Sequence, residues 1–264
     1  MKLEIKKASF GYGNAILYKN LSFVLNSGEL LCVLGPNGVG KTTFFKTILK
    51  LLKLKSGEIS IDGKNINTFP HKELYKYIAY VPQAHTPPFP FTVIDVVLMG
   101  RAVYIKEFSS PSNIDKQIAE KSLDLLGITH LKNKVYTEIS GGERQLVLIA
   151  RAITQQASII IMDEPTSNLD YGNQIKVLTL IKSLCVNNNQ TILMSCHNPN
   201  HALLYGSKVA IMKKDGLFSF GDPCNEINTK IIKETYGVDI KMIHTNINET
   251  LSKSICIPFN SKFK

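Results

Sequence analysis

The sequence predicts an α/β fold from three observations. Strand-like and helix-like stretches alternate along the 264 residues, as they do in a sheet covered by helices. Residues 158–162 read Ser-Ile-Ile-Ile-Met, an apolar run typical of a parallel strand that is buried on both faces. Hydrophobic residues make up 44% and charged residues 20% of the chain, a globular composition that excludes general disorder.

The individual elements follow from local periodicity. Strands are predicted where apolar residues alternate with polar ones or form short runs, at 2–10, 29–34, 78–81, 158–162, 191–195 and 209–212. Helices are predicted where apolar residues recur every three or four positions, at 41–52, 93–99, 113–126, 142–155 and 225–236. Between Gln83 and Ser140 a proline cluster gives way to helical spacing, which indicates a helical insertion in the α/β core.

Charge and cysteine content bound the class of protein. The net charge of +10 admits nucleic acid, an anionic membrane surface or a phosphate-bearing ligand as a partner. Apolar runs stay well short of the roughly 18 residues that span a bilayer, and the first residues do not resemble a secretory signal, so we expect a soluble intracellular protein. The 5 scattered cysteines match neither a disulfide framework nor a zinc site.

A phosphate-binding loop is predicted between the strand at 29–34 and the helix at 41–52. Residues 35–42 read Gly-Pro-Asn-Gly-Val-Gly-Lys-Thr and match the pattern G-x-x-x-x-G-K-[ST]. Glycines let backbone N–H groups surround phosphate oxygens, and the helix points its positive end at the same anion. Lys41 is expected to reach the β- and γ-phosphates, and the Thr42 hydroxyl to ligate Mg²⁺. The predicted nucleotide contacts are Gly35, Pro36, Asn37, Gly38, Val39, Gly40, Lys41, Thr42 and Thr43.

Two carboxylates follow the buried strand at 158–162. Ligands of parallel sheets lie beyond the carboxyl ends of the strands, where Asp163 is placed to hold Mg²⁺, directly or through water. Glu164 is then placed to orient or deprotonate an attacking water. The alternative is a strand that stops at its first solvated charges.

A second anion-binding turn is predicted at the start of the helix at 142–155. Serine caps helices and glycines expose N–H groups, so the run Ser140, Gly141, Gly142 and Glu143 suits a phosphate. The alternative is an ordinary helix cap with a flexible lead-in.

Taken in chain order, five motifs resemble those of the ATP-binding subunit of ABC transporters. They are the phosphate loop, Ser140-Gly-Gly-Glu-Arg-Gln145, Met162-Asp-Glu-Pro165, Ser167-Asn-Leu-Asp170 and His197. The resemblance covers residues 2–223 and implies a P-loop NTPase core with an N-terminal antiparallel β subdomain and an inserted α-helical subdomain. It implies an ABC ATPase domain at 1–222, with the insertion at about 84–155, and a small C-terminal annex at 223–264.

The resemblance also implies roles for the matching residues, with ATP and Mg²⁺ as cofactors. Tyr12 would stack on adenine, and Glu164, His197 and Gln83 would be catalytic. Two copies would meet head to tail, each ATP contacting Ser140, Gly141, Gly142, Glu143 and Asp170 of the other copy. Mg²⁺ would be held by Thr42, Gln83 and Asp163. Structural alternatives remain: a turn tyrosine at 12, a loop glutamine at 83, a helix-terminal charge at 170 and a structural histidine at 197.

Weaker signals concern the transported substrate. Segments 90–101, 198–201 and 236–239, together with Glu143 in place of the commoner glutamine, resemble importers of iron-siderophores, haem or cobalamin. The implied protein is an ATPase at the cytoplasmic face of the membrane, a homodimer that drives a membrane permease and works indirectly with a substrate-binding protein. Alternatives are an oxyanion importer or exporter, a soluble ABC ATPase acting on nucleic acid, and a non-catalytic nucleotide sensor. The single phosphate loop and the short insertion disfavour nucleic acid, and intact Glu164 and His197 disfavour the sensor.

Overall fold

The structure is a computed structural model that describes residues 1–13, 15–83, 90–106, 109–246 and 252–259. The chain divides into two compact units. The first combines Met1–Thr68 with Lys182–Lys264, and the second is Phe69–Ile181.

The elements are as follows, in chain order. The strands are β1 (Leu3–Phe10), β2 (Tyr18–Leu25), β3 (Leu30–Leu34), β4 (Ser56–Ile61), β5 (Lys64–Asn65), β6 (Ile78–Val81), β7 (Ile159–Met162), β8 (Thr191–Ser195), β9 (Lys208–Met212), β10 (Phe218–Gly221), β11 (Asp239–Asn246) and β12 (Ser252–Phe259). The α-helices are α1 (Lys41–Ile48), α2 (His71–Tyr77), α3 (Val93–Leu98), α4 (Asn113–Leu125), α5 (Gly141–Thr154), α6 (Tyr171–Asn188), α7 (Pro199–Tyr205), α8 (Pro223–Glu226) and α9 (Thr229–Tyr236).

The first unit contains an antiparallel sheet near the N-terminus. β1 pairs antiparallel with both β2 and β4, and β5 continues the sheet in the order β2-β1-β4-β5. Leu3 and Ile5 are buried while Lys6 and Lys7 are exposed, as expected of a sheet with one face against the core. The predicted antiparallel β subdomain is therefore confirmed.

Parallel strands form the second sheet of this unit. β3 lies between β8 and β9, parallel to both, and β10 pairs antiparallel with β9. Every residue of β3 and β8 is buried, as in parallel strands covered on both faces. Because β3 and β8 are parallel neighbours, the segments that follow them, Gly35 and Cys196-His197, leave the sheet at the same edge.

The second unit contains the parallel pair β6 and β7 and the helices α2 to α5. An ion pair buried in this unit joins Arg101 Nε to Asp115 Oδ1 at 2.8 Å. The same guanidinium donates to the Thr154 carbonyl and to Gln156 Oε1, at 3.1 and 3.0 Å. Hydrogen bonds from Ser112 and then from Arg101 lower the pKa of Asp115 to about 2. This network ties the start of α4 to the end of α5.

Two predicted helices differ from the observed ones. α1 stops at Ile48 rather than at residue 52, because Lys50 has a left-handed φ of +58° and the amides of Leu51 and Leu52 both bond to the Lys46 carbonyl. The single helix predicted at 225–236 is wrong, since α8 and α9 are separate. Each has its own cap: Asp222 accepts from the Cys224 amide at 2.8 Å, and Asn228 accepts from the Ile231 amide at 3.0 Å.

The tail of the first unit folds back as a hairpin. β11 and β12 pair antiparallel along their whole length, from Asp239 opposite Phe259 to Asn246 opposite Ser252. The limits predicted for the helical insertion and for the annex stay predictions. Across the described ranges, no helix combines the length and apolar character that crossing a membrane requires.

Candidate active site

The predicted site residues are divided between the two units. The first unit carries Tyr12, the phosphate loop and His197, and the second carries Gln83, Ser140 to Glu143, Asp163, Glu164 and Asp170.

The phosphate loop connects the buried strand β3 to α1. Gly35 has a φ of +152°, and a Cβ there would lie 2.6 Å from the Met212 carbonyl oxygen, so only glycine fits. The N-cap of α1 is Gly40, with a left-handed φ of 112°, and no side chain in the described residues caps this helix. The first turn reads Lys-Thr-Thr. The start of α1 therefore directly follows the glycine loop, and the binding of an anion by its backbone N–H groups stays a prediction.

Lys41 folds back over its own loop. Its ammonium donates to the Gly35 carbonyl at 2.7 Å and to the Pro36 carbonyl at 3.3 Å, and the residue is only 6% exposed. Thr42 is exposed, whereas Thr43 is buried. The lysine ammonium is therefore held beside the first carbonyls of the loop. A bound phosphate would replace these two carbonyls as its hydrogen-bond acceptor.

Tyr12 and His197 lie on exposed turns of the first unit. Tyr12 is half exposed and its carbonyl accepts from the Ala15 amide at 2.8 Å, which closes a turn after β1. His197 is exposed and follows β8 after one residue. It directly precedes Asn198, the N-cap of α7.

The second unit brings Gln83 and Glu164 together. Asp163, 4% exposed, follows β7, and its amide donates to the Val81 carbonyl at 2.8 Å. Glu164 adopts a left-handed φ of 50°, which is uncommon for a residue with a side chain. The Gln83 amide nitrogen lies 3.4 Å from Glu164 Oε2. Two side chains that the resemblance implies to be catalytic therefore lie within hydrogen-bonding distance of each other.

Ser140 caps α5 in a reciprocal arrangement. Its hydroxyl accepts from the Glu143 amide at 3.3 Å, and Glu143 Oε2 accepts from the Ser140 amide at 2.8 Å. The hydrogen bond from the Ser140 amide, followed by one from the Ser140 hydroxyl, lowers the pKa of the Glu143 carboxyl. The ordinary cap considered in the sequence analysis therefore exists, and a role of Ser140 across a dimer stays a prediction.

Asp170 caps α6. Its Oδ1 accepts from the Asn173 amide at 2.9 Å and its Oδ2 from the Asn173 side chain at 2.7 Å. These bonds, led by the one from the Asn173 backbone, lower the pKa of Asp170. The side chain is exposed, so the helix-terminal role is present in the single chain and a role across a dimer stays a prediction.

One contact with the phosphate loop escapes sequence reasoning. The Tyr236 hydroxyl accepts from the Gly35 amide at 2.8 Å, across 201 positions of the chain. Local periodicity gives no sign of a contact at that separation. The sequence includes residue 236 only in the segment 236–239, which resembles metal-chelate importers.

A glycine loop that opens onto an uncapped helix, and a buried strand ending in Asp163 and Glu164, define a P-loop nucleotide-binding ATPase. Residues 18–167 match the ABC transporter family, more than half of the chain. The chain therefore belongs to the ABC transporter family, as its ATP-hydrolysing, ATP-binding component. The resemblance stated from the sequence is confirmed.

Similar proteins agree with this assignment. The chain is 38% identical over 229 residues to the molybdate import ATP-binding protein MolC of Haemophilus influenzae, covering 86% of this chain and 85% of that one. It is 33% identical to the hemin import ATP-binding protein HmuV of Shewanella denitrificans, over 92% of this chain and 96% of that one. A solved metal-chelate type ABC transporter in an inward-facing conformation superposes with a TM-score of 0.86 at 32% identity, over 98% of both chains. The predicted P-loop fold is confirmed by this likeness.

Proposed function

We propose that this chain powers the uptake of a metal chelate, of the iron-siderophore, haem or cobalamin type, through a membrane permease. One observation carries the proposal. The likeness to the metal-chelate type transporter extends over 98% of both chains, so it includes the residues after 222 as well as the ATPase core. The similarity to a hemin import protein over 92% of this chain supports the same substrate class.

The proposed reaction is the hydrolysis of ATP to ADP and phosphate. Lys41 and the amides of the phosphate loop bind the phosphates, and Tyr12 stacks on adenine. Glu164 takes a proton from the attacking water, while Gln83 orients that carboxylate and water through the 3.4 Å contact. His197 donates to the γ-phosphate, where negative charge accumulates during transfer.

A magnesium ion fits the proposed donor set. Thr42 supplies a hydroxyl, Gln83 an amide and Asp163 a carboxylate, all oxygen donors that a hard cation prefers. The described residues contain no cluster of three or more acidic, histidine or cysteine side chains. Mg²⁺ is commonly held by one or two carboxylates together with waters and nucleotide phosphates, and the proposed set contains one carboxylate. When bound, Mg²⁺ would neutralise charge on the β- and γ-phosphates.

The proposed assembly is a head-to-tail homodimer at the cytoplasmic face of the membrane. Each ATP is completed by Ser140 to Glu143 and Asp170 of the second copy. The dimer drives a membrane permease and, through it, responds to a substrate-binding protein. No nucleic-acid partner is proposed, because one phosphate loop and the import relatives give no role to such a partner.

The test of the ATPase site is Glu164→Gln. Loss of the base should reduce ATP turnover at least about 100-fold, while ATP still induces dimers, because the phosphate contacts remain. Turnover is measured by phosphate release and dimers by size-exclusion chromatography with light scattering. Glu138→Gln, at an exposed position of the same unit, is the matched control. Turnover of Glu164→Gln at the native rate would refute the assignment of the base.

A second candidate function is oxyanion import, favoured by 38% identity to the molybdate import protein. To distinguish the two, the tagged chain is purified from host membranes with its permease and reconstituted with the binding protein. ATP turnover is then measured with ferric hydroxamate, haem, cobalamin or molybdate. Stimulation by a chelate supports the main proposal, and stimulation by molybdate alone supports the second candidate and contradicts the first.

A further inference from the structure

The C-terminal part of the first unit contacts the phosphate loop directly. Tyr236 is the last residue of α9, and its hydroxyl accepts from the Gly35 amide at 2.8 Å. The position of this hydroxyl is well defined, because Asn228 caps the start of α9 and Gly237 ends it with a left-handed φ of 71°. The helix buries Ile232 and Thr235. The ring of Tyr236 is partly buried, and burial raises the pKa of its hydroxyl, which stays protonated near neutral pH.

Gly35 is held from both sides of its backbone. Its amide donates to Tyr236, and its carbonyl accepts from the Lys41 ammonium at 2.7 Å. When phosphate arrives, the lysine must exchange this carbonyl for phosphate oxygen. The bond from Gly35 to Tyr236 does not involve the lysine, so this exchange does not itself break it, and the bond can hold the first residue of the loop in place.

A second contact links the tail to the segment that follows His197. Asn200 lies three positions after this histidine, at the start of α7. Its amide nitrogen donates to the Cys256 carbonyl at 3.1 Å, and its oxygen accepts from the Cys256 amide at 2.8 Å. Both polar groups of one side chain are therefore paired with the backbone of a single residue of β12. This pairing fixes the direction in which the chain leaves His197.

The two contacts border one cavity. It has a volume of about 220 Å³, and its lining includes His197, Asn200, Ile232, Tyr236, Ile240 and Cys256. The lining thus combines the segment of His197, the candidate γ-phosphate ligand, with residues of α9 and of the hairpin. A displacement of the tail would thus reach both the His197 segment and the phosphate loop.

We propose that Tyr236 and Asn200 are positioning residues for ATP turnover, Tyr236 acting on the phosphate loop and Asn200 on the segment of His197. The inference rests on the proposed function, in which the loop binds ATP and His197 contacts the γ-phosphate. The C-terminal tail then belongs to the machinery of hydrolysis, although neither residue touches the nucleotide.

The test separates binding from turnover in the full chain. Tyr236→Phe removes one hydroxyl and should weaken Mg-ATP binding about fivefold, the loss expected of one neutral hydrogen bond, with kcat within about twofold. Asn200→Ala removes two bonds to the backbone and should lower kcat about tenfold, with ATP affinity within about twofold. Affinity is measured by calorimetry and kcat by phosphate release. Tyr205→Phe and Asn187→Ala are matched controls at positions without these contacts.

The outcomes are distinct. Variants that match their controls in both parameters would overturn the inference. So would a parallel fall of affinity and kcat that follows a loss of thermal stability, because the tail would then only support the fold. Should Asn200→Ala fail to fold, Tyr236→Phe still decides, since it changes one atom. A wild-type chain that neither binds nor hydrolyses ATP would refute the proposed function itself and the inference with it.

Discussion

Helices α1 and α5 both begin next to glycines, but only the N-terminus of α5 is capped by side chains among the described residues. α1 follows Gly40 and no described side chain caps it, whereas α5 is closed by the reciprocal bonds of Ser140 and Glu143. The first turn of α1 contains Lys41, and the first turn of α5 contains an ionised carboxylate. The N-terminus of α1 therefore favours an anion, whereas the N-terminus of α5 already bonds to its own side chains.

This difference in capping indicates which of the two helix N-termini binds phosphate in a single chain. A helix N-terminus without a side-chain cap presents backbone N–H groups and a positive partial charge that favour an anion. At α5 the Glu143 carboxylate already satisfies the Ser140 amide and complements the helix dipole. A phosphate there must compete with the Glu143 carboxylate for the Ser140 side chain or use the amides of Gly141 and Gly142. We therefore expect α1 to dominate ATP affinity, and α5 to matter for turnover in the dimer.

The largest expected effect comes from Lys41→Ala. The ammonium would make charge-assisted bonds to phosphate, and their loss should weaken Mg-ATP binding by about 100-fold. The control is Lys46→Ala, in the last turn of the same helix. Calorimetry on both variants measures the change. If Lys41→Ala bound ATP within about threefold of the native chain, α1 would not be the dominant anion site.

An intermediate effect is expected from Ser140→Ala. Losing the cap should cost about 1 kcal/mol of stability, and losing the hydroxyl that we propose contacts the γ-phosphate of the ATP bound by the second copy should reduce turnover about tenfold. Affinity for ATP in the single chain should hardly change. Turnover, dimer formation and thermal unfolding are measured together.

The chain supplies its own control for this variant. Ser112 caps α4 by the same reciprocal arrangement with Asp115, and no role in ATP binding is proposed for it. Its hydroxyl also donates to Asp115 at 2.6 Å, next to the Arg101 ion pair, so Ser112→Ala should destabilise the fold at least as much as Ser140→Ala. Equal losses of turnover in the two variants would mean that Ser140 only caps a helix.

The contrast between the helices also shows where sequence reasoning succeeds. The phosphate loop and the run Ile159–Met162 are local signals, since their residue types alone require a tight turn and a buried strand. The sequence predicts the helix cap of α5 only as an alternative, because Ser-Gly-Gly-Glu suits both a cap and an anion-binding turn. Which use prevails depends on the rotamers of Ser140 and Glu143, and the pattern does not contain them.

Other features were beyond local patterns for physical reasons. The sequence predicts a single helix over α8 and α9 because both have helical spacing. The break between the two helices depends on the caps Asp222 and Asn228. The bond from Gly35 to Tyr236 joins residues 201 positions apart and depends on tertiary packing. Site roles that need a second copy, such as that of Asp170, stay predictions for the same reason.

The smallest expected effect tests whether α5 relies on its own carboxylate. Hydrogen bonding lowers the folded-state pKa of Glu143, so its ionised form contributes stability above the usual carboxyl pKa, and this contribution is lost as pH falls through the folded value. Glu143→Gln can keep the cap but lacks the charge, and should lose about 0.5 kcal/mol near pH 7, or about 1–2 °C in Tm. Thermal unfolding from pH 7 downward should show the two melting temperatures converging as pH falls from the usual carboxyl pKa through the lowered folded value, where Glu143 becomes neutral like glutamine. A gap that stayed constant over this range would mean that the carboxylate charge of Glu143 does not stabilise α5, and that only its capping hydrogen bonds distinguish this N-terminus from that of α1.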